Sequence, residues 1–250
     1  MKRPLLLTLI LGLLPLDVGA EQALIAVAAN FSEVMEKLEA DFEQATGHQL
    51  TITLGSTGKL YAQIRAGAPF DVMLAADQER PKLLEEQGHA VPGSRFTYAI
   101  GRITLWSPDP ERIPEDGEAY LREGLFRRLA IANPDLAPYG VAAREVLDRL
   151  GLWETIRNRI VMGEDIGQTR AMIDTGNADA GIIALSSVLS PRNERPGSRW
   201  DVPETLYSPI RQDAVLLHHG AANAAAASFL EYLRADRVRA TIKALGYATD

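Results

Sequence analysis

Four segments of this chain place small, hydroxyl-bearing or amide residues directly after an apolar run and before a helical pattern. They are AANF at 28–31, GSTG at 55–58, NPDLAPYG at 133–140 and GEDIGQT at 163–169. The first turn of a helix has backbone N–H groups without intrahelical partners and carries roughly half a positive charge. Several helix starts that converge would bind an anion without lysine or arginine. The four junctions therefore indicate a receptor for an oxyanion.

The side chains at these junctions also have structural interpretations. Asn30, followed three residues later by a glutamate, has the spacing of a capping box and is typical of a helix N-cap. Ser56 and Thr57 set two consecutive hydroxyls between glycines, which is more hydroxyl than one cap requires. Tyr139 either presents its phenol to a ligand or packs its ring beneath the turn, and Ile166 offers only its backbone N–H. The predicted anion site depends on these residues acting together.

Two acidic residues, Glu164 and Asp165, lie beside the last junction. A carboxylate close to a buried dianion is repelled strongly at low dielectric, so these acids conflict with an anion site unless they point away from it. We expect them to point away, with Asp165 capping its own helix. Lys59, just after the second junction, is expected on a solvated helix face.

Other kinds of site find less support in the sequence. Gly58 and Lys59 resemble the end of a nucleotide phosphate loop, but Thr53 and Leu60 stand where that motif needs a glycine and a hydroxyl. The nucleophile-elbow pattern Gly-x-Ser-x-Gly is absent around Ser56, and no histidine lies at a junction. An exported hydrolase of phosphate or sulfate esters is therefore a weaker alternative. We expect no catalytic residues and no enzyme activity.

The composition excludes several classes of partner. The chain has 26 basic and 33 acidic residues, and removing residues 1–20 takes away two basic residues and one acidic residue, which leaves a net charge of −8. A chain with this net negative charge has no positive potential that would attract nucleic acid or anionic lipid. The chain has no cysteine, which excludes disulfides and thiolate metal sites, and its 4 histidines are scattered. We expect no cofactor and no metal bound as a free cation.

The first residues have the three parts of a secretory signal peptide. Lys2 and Arg3 open it, an apolar stretch runs from Leu5 to Leu16, and small residues end it at Ala20. The apolar stretch is shorter than the roughly 20 residues that span a bilayer. We predict cleavage after residue 20, export, and no membrane insertion of the mature chain.

Apolar runs of strand length alternate with helical patterns along the rest of the chain. The predicted strands are 23–29, 49–54, 71–76, 103–107, 129–132, 159–162, 181–185 and 213–218. The predicted helices are 31–45, 60–66, 81–86, 141–150, 168–174, 223–233 and 236–245, and 190–209 is predicted to be a long surface loop. This alternation favours βαβ units and parallel sheets.

The alternating pattern occurs twice and is followed by one more strand and two helices. We predict an α/β fold with two doubly wound lobes, whose mixed, mainly parallel sheets are joined by a two-strand hinge. Residues 21–100 and 212–250 form the first predicted lobe and residues 101–211 the second, with the ligand cleft between them. Two crossings make a hinge on which such a cleft can close around a ligand.

Several of these segments resemble the periplasmic molybdate-binding proteins that feed ABC transporters, a branch of the type II periplasmic binding-protein fold. The resemblance covers essentially all of the mature chain. Besides the four junctions, it is carried by GSTGKLYAQIRAGAPFDVMLAAD at 55–77, PGSRFTYAIGRITLWS at 92–107 and YSPIRQDAVLL at 207–217. Any one junction would be a weak signal, but the segments together are specific.

The resemblance implies a ligand site at the junctions already described. The family's contacts to its ligand fall on Ala29, Asn30, Ser56, Thr57, Tyr139 and Ile166. Some members carry a tyrosine where this chain has Ala184, so this chain resembles the subgroup that supplies its phenol from the NPDLAPYG junction.

The resemblance also implies the ligand and the partner. It implies that molybdate and tungstate bind as oxyanions, that the protein is a periplasmic monomer, and that a membrane permease of an ABC transporter receives the ligand. The alternative within the same fold is a sulfate or phosphate receptor. Phosphate keeps a proton at neutral pH and needs an acceptor in its site, for which only Glu164 or Asp165 is available.

Overall fold

The computed structural model describes residues 20–249 of the 250-residue chain. The predicted signal peptide lies outside the described residues, apart from Ala20. Within 20–249 the chain forms two five-stranded sheets, and helices cover them. No helix among these residues is long and apolar enough to cross a membrane.

Every predicted strand and helix overlaps an element of the described structure. The strands are β1 (Gln22–Ala28), β2 (Gln49–Gly55), β3 (Val72–Leu74), β4 (Phe96–Gly101), β5 (Ile103–Ser107), β6 (Leu129–Ala132), β7 (Ile160–Gly163), β8 (Ala180–Ala184), β9 (Ser198–Asp201) and β10 (Ile210–Leu216). The helices are α1 (Ser32–Thr46), α2 (Thr57–Arg65), α3 (Glu79–Glu86), α4 (Gly117–Glu123), α5 (Pro138–Arg149), α6 (Trp153–Ile156), α7 (Ile166–Asp174), α8 (Leu185–Leu189), α9 (Ala224–Arg234) and α10 (Asp236–Ala244).

The two sheets share one pattern of strand directions. The first has the order β2-β1-β3-β10-β4 and the second the order β7-β6-β8-β5-β9. In the first, β1 pairs in parallel with β2 and β3, whereas β10 is antiparallel to β3 and β4. In the second, β6 is parallel to β7 and β8, whereas β5 is antiparallel to β8 and β9. Each sheet is therefore mixed, with all strands but one pointing the same way.

The strand directions bring the four junctions to the cleft between the sheets. β1 and β2 are parallel neighbours in one sheet, and β6 and β7 are parallel neighbours in the other. Because the carboxyl ends of parallel strands meet at one edge of a sheet, the helix starts that follow these strands lie side by side. Each lobe thus contributes two helix starts.

The chain passes between the sheets twice. The first passage lies between β4 and β5, at Arg102, and the second lies between the end of β9 and the start of β10. The last two helices return to the first lobe, where the Phe229 ring lies 5.4 Å from the Phe42 ring, centroid to centroid. The finer division at residues 100/101 and 211/212 stays a prediction.

The prediction that 190–209 is a loop is wrong over part of its length. β9 (Ser198–Asp201) forms an edge strand against β5, and a short 3₁₀ turn follows at Glu204–Leu206. The Thr104 hydroxyl donates to the backbone oxygen of Trp200 at 3.0 Å. Local composition is a poor guide to an edge strand, because pairing with a distant strand decides its formation. Helices α4, α6 and α8 and strand β4 also went unpredicted.

The core of the first lobe includes the contact between strand β1 and helix α1. Ile25 and Val27 on β1 are fully buried, as expected for a strand covered on both faces. α1 buries an apolar stripe that includes Leu38 and Phe42. The Phe42 ring also lies 5.4 Å from the Tyr232 ring of α9, so it joins the N-terminal and C-terminal parts of the lobe.

We expect Phe42→Ala to lower the free energy of unfolding by about 3–5 kcal/mol, because it removes a fully buried ring and leaves a cavity. Urea unfolding followed by circular dichroism measures this change. The control is Leu125→Ala, at a side chain that is 63% exposed, which is expected to stay within about 0.5 kcal/mol of wild type. An equal effect of the two substitutions would contradict this account of the core.

Candidate functional site

A small cavity lies between the lobes where the four junctions meet. Its lining residues come from all four: Ala28, Ala29, Asn30, Gly55, Ser56, Thr57, Ala76, Ala137, Pro138, Tyr139, Asp165 and Ile166. The six residues predicted from the sequence are among them, so the fold brings all six together. Ala184, at the end of β8, is fully buried and is not part of this lining.

The two adjacent hydroxyls at the start of α2 accept hydrogen bonds from the protein backbone. Ser56 is the N-cap of α2, and its Oγ accepts from the backbone N–H of Lys59 at 3.3 Å. The Oγ1 of Thr57 accepts from the backbone N–H of Ala76 at 3.0 Å. A hydroxyl oxygen that already accepts from the protein keeps its own proton for donation. Both side chains are almost fully buried, at 2% and 1% exposure.

The hydroxyl oxygen of Tyr139, in the first turn of α5, also accepts hydrogen bonds from the protein. It accepts from the Nδ2 of Asn30 and the Nε2 of Gln212, each at 3.3 Å. Burial raises the pKa of Tyr139 well above its usual range, and the neighbouring Tyr247 and Tyr98 add to the rise. The phenol therefore keeps its proton at neutral pH. Tyr139 is buried and also lines the cavity, and the interpretation that its phenol faces a ligand stays a prediction.

The prediction that Asn30 caps α1 is wrong. A 3₁₀ turn at Ala29–Phe31 precedes the helix, the N-cap is Phe31, and no side chain accepts a capping hydrogen bond there. The Asn30 amide instead donates to Gln212 Oε1 at 2.7 Å and to the Tyr247 hydroxyl at 3.2 Å. These partners lie near the other end of the sequence, so a local capping pattern could not reveal them.

The two acidic residues at the fourth junction are each engaged. Asp165 caps α7, as expected, and accepts from the backbone N–H of Gln168 at 2.9 Å. Glu164 pairs with Lys59 of the other lobe, with its Oε1 2.7 Å from the Nζ. This ion pair raises the pKa of Lys59. Lys59 is exposed as predicted, but it bridges the lobes.

The charge around the cavity is low. No lysine or arginine belongs to the cavity lining, and Asp165 is its one charged member among the described residues. In residues 20–249, no group of three or more histidine or acidic side chains is arranged to hold a metal ion. Hydrogen-bond donors and helix starts are what this cavity can offer a ligand.

A larger cavity, the outer cavity, is lined by residues of both lobes and of the second passage between them. Its lining carries both signs of charge, and Asp77 and Arg80 form an ion pair within it. Burial raises the pKa of Asp77, although Arg80 opposes the rise. This cavity lacks the converging neutral donors of the smaller one.

Four polar residues behind the cavity were not identified from the sequence. They are Tyr98, Ser186, Gln212 and Tyr247, all buried at 3%, 2%, 0% and 4% exposure. They join Asn30 and Tyr139 in one hydrogen-bonded network. The one signal in the sequence is the polar pair Gln212–Asp213 inside an apolar strand, because polar groups are buried in a core only when partners satisfy them.

Comparison with known proteins places this site in a family. Residues 23–248 match the bacterial extracellular solute-binding proteins. The chain belongs to this family. The molybdate-binding protein ModA of Azotobacter vinelandii is 46% identical over 94% of this chain and 93% of that protein. ModA of Rhodobacter capsulatus is also 46% identical, over 98% of this chain and 94% of that protein.

A solved structure shows the same fold. The periplasmic molybdate-binding protein of Azotobacter vinelandii superimposes with a TM-score of 0.87 at 40% identity, covering 91% of this chain and 99% of that one. The predicted fold class of two α/β lobes with mixed, mainly parallel sheets is confirmed. These relatives are named as binding proteins, which agrees with the expectation that this solute-binding protein is not an enzyme.

The position of the Tyr139 phenol requires a glycine on the strand that crosses between the lobes. A Cβ at Gly101 would lie 2.2 Å from the Tyr139 hydroxyl oxygen. We expect Gly101→Ala to lower the free energy of unfolding by about 1–3 kcal/mol through overpacking. Part of this loss should be absent in the Tyr139→Phe background, where the oxygen is missing but the ring carbon that bore it would still lie 2.8 Å from the Cβ. Urea unfolding of the four proteins measures it, and an equal loss in both backgrounds would contradict the contact.

Proposed function

We propose that this protein captures molybdate, and also tungstate, outside the cytoplasm and delivers it to the permease of an ABC transporter. The observation that carries the proposal is the small cavity between the lobes, whose lining brings hydroxyls and helix starts together and contains no lysine or arginine. The names of the two relatives at 46% identity support the choice of molybdate.

The six lining residues that the sequence predicted have different roles in the proposal. Ser56, Thr57 and Tyr139 donate their hydroxyl protons to the oxyanion. Ala29, Asn30 and Ile166 contribute backbone N–H groups, since the Asn30 amide nitrogen is engaged by Gln212 and Tyr247. Each hydrogen bond to a charged oxygen stabilises the complex by about 1.5–3 kcal/mol, and each helix start adds up to about 1 kcal/mol.

A site made of donors selects against a protonated anion. Hydrogen phosphate must donate its own proton to an acceptor in the protein. Of the two candidate acceptors, Asp165 accepts from its own helix and Glu164 pairs with Lys59. Molybdate, tungstate and sulfate carry no such proton, so they are distinguished mainly by the size of a cavity whose donors are fixed to the backbone.

The lobes touch across the cavity, which supports a closed state that the permease would recognise. The backbone N–H of Gly58 donates to the backbone oxygen of Leu136 at 2.9 Å, and a Cβ at Gly58 would lie 3.0 Å from that oxygen. Ser190 Oγ donates to Glu33 at 2.7 Å, which is a second contact between the lobes. The periplasmic location follows from the predicted signal peptide, and the Azotobacter relative of known structure is likewise a periplasmic protein. The monomeric state stays a prediction.

Isothermal titration calorimetry tests the proposal. We expect tight binding of molybdate and tungstate in a 1:1 complex, much weaker binding of sulfate, and no detectable binding of phosphate. The absence of heat with both molybdate and tungstate would overturn it. Tight binding of sulfate alone would replace the proposed ligand while keeping the site.

The Tyr139→Phe variant isolates one donor. We expect a loss of molybdate affinity of about 10- to 100-fold, which corresponds to one hydrogen bond to a charged oxygen. The matched control is Tyr61→Phe, since the Tyr61 hydroxyl donates to Gln87 away from the cavity. The control should bind as wild type does. Unchanged affinity in Tyr139→Phe would exclude the phenol from the ligand site.

A further inference from the structure

We propose that Gln212 is a positioning residue that directs the hydroxyl proton of Tyr139 toward the bound oxyanion. This inference rests on the proposed function and goes beyond the six lining residues. Gln212 lies on β10 and is fully buried. Its amide joins Asn30 and Tyr139, because Oε1 accepts from Asn30 and Nε2 donates to Tyr139.

The directions of the hydrogen bonds in the network follow from the backbone carbonyl of Asn30, because a carbonyl can only accept. The Tyr247 hydroxyl donates its single proton to the backbone oxygen of Asn30 at 2.6 Å. The Tyr247 oxygen therefore accepts from its other neighbours, among them Ser186 Oγ at 3.1 Å and the Asn30 amide at 3.2 Å. The Asn30 atom that faces Tyr247 must be the donor, Nδ2.

The same reasoning then fixes the Gln212 amide. Asn30 Nδ2 lies 2.7 Å from Gln212, so the facing atom must be the acceptor, Oε1. The Tyr98 hydroxyl lies 3.3 Å from the same oxygen but gives its proton to the backbone oxygen of Ala75 at 3.0 Å, so the orientation of Gln212 rests on Asn30. Nε2 is thereby turned toward Tyr139.

The consequence for Tyr139 is that its oxygen faces a donor, Gln212 Nε2, at 3.3 Å. Asn30 Nδ2 is equally near, but its two protons are shared among Gln212, Tyr247 and Tyr139. The Tyr247 oxygen, which also bonds to Tyr139, already accepts from Ser186 and Asn30, so the proton of Tyr139 is left for the side where the residue lines the cavity. An amide in the opposite orientation, or a side chain that only accepts, would draw that proton inward and turn a lone pair toward the anion.

The network also joins the lobes. Tyr98, Gln212 and Tyr247 belong to the first lobe or pack on it, whereas Tyr139 and Ser186 lie on helices of the second. The proton of Tyr139 is therefore oriented by groups that it meets when the lobes are together. This couples donor direction to closure of the cleft.

A double-mutant cycle separates positioning from simple packing. Gln212→Met keeps the length of the side chain but removes both hydrogen-bonding atoms. We expect it to reduce molybdate affinity about 10-fold in the wild-type background and less than about twofold in the Tyr139→Phe background, because the proton that Gln212 positions is then missing. Calorimetry measures the four affinities, and thermal unfolding of each ligand-free protein reports its stability.

Gln78→Met is the matched control for this cycle. Gln78 bonds to Asp213, the next residue along β10, and makes no hydrogen bond to Tyr139. It should have the same small effect in both backgrounds. Equal losses from Gln212→Met in the two backgrounds would overturn the inference while leaving the proposed function intact. If wild type binds neither molybdate nor tungstate, the proposed function fails, and this inference fails with it.

A second variant keeps the test valid if Gln212→Met folds poorly. Glu at this position donates like Gln when protonated but only accepts when ionised. We expect Gln212→Glu to bind molybdate at least about 10-fold more weakly than wild type at about pH 8, with the gap narrowing toward about pH 5.5 as the buried carboxyl gains a proton. The narrowing should be clearly smaller in the Tyr139→Phe background, because repulsion between an ionised carboxylate and the dianion titrates in both backgrounds. A gap that does not change with pH, or one that narrows equally in the two backgrounds, would contradict the inference.

Discussion

An oxyanion enclosed by protein can only accept hydrogen bonds, so every group that faces it has to present a proton. Hydroxyl and amide groups can present either a proton or a lone pair, and the surroundings decide which. In this cavity each hydroxyl oxygen accepts a hydrogen bond from the protein itself, so its own proton is left for the ligand. The donors are the backbone N–H groups of Lys59 and Ala76 for Ser56 and Thr57, and two side-chain amides for Tyr139.

The fold meets this requirement by placing rigid hydrogen-bond donors on two separate lobes. In each sheet, two parallel neighbours end at the cleft and deliver a pair of helix starts. Donors fixed to the backbone cost little ordering entropy when a ligand binds. The buried network behind the cavity also helps to position the donors, and its members come from positions between 30 and 247 of the chain. Because the two passages between the lobes form a hinge, residues from both lobes can meet in this network and the cleft can still open.

The sequence predicted the helix starts because their signals are local. The paired hydroxyls of Ser56 and Thr57 at a helix start and Asp165 as a cap depend on residues a few positions apart. Asn30 was predicted wrongly for the opposite reason, since the hydrogen bonds that hold it are made to Gln212 and Tyr247. The edge strand β9 was missed because its partner, β5, is about 95 residues away in sequence. Local pattern thus predicts which residues reach the cleft, and tertiary contacts decide what their atoms do there.

The central claim is that neutral donors alone hold the ligand, and a crystal structure of the molybdate complex tests it most directly. The account predicts the anion in the small cavity, with its oxygens about 2.7–3.2 Å from the hydroxyls of Ser56, Thr57 and Tyr139 and from backbone nitrogens of the four junctions. It also predicts that no lysine, arginine or metal ion touches the anion. Molybdate bound in the outer cavity against Arg80, or bridged to the protein by a cation, would contradict the account.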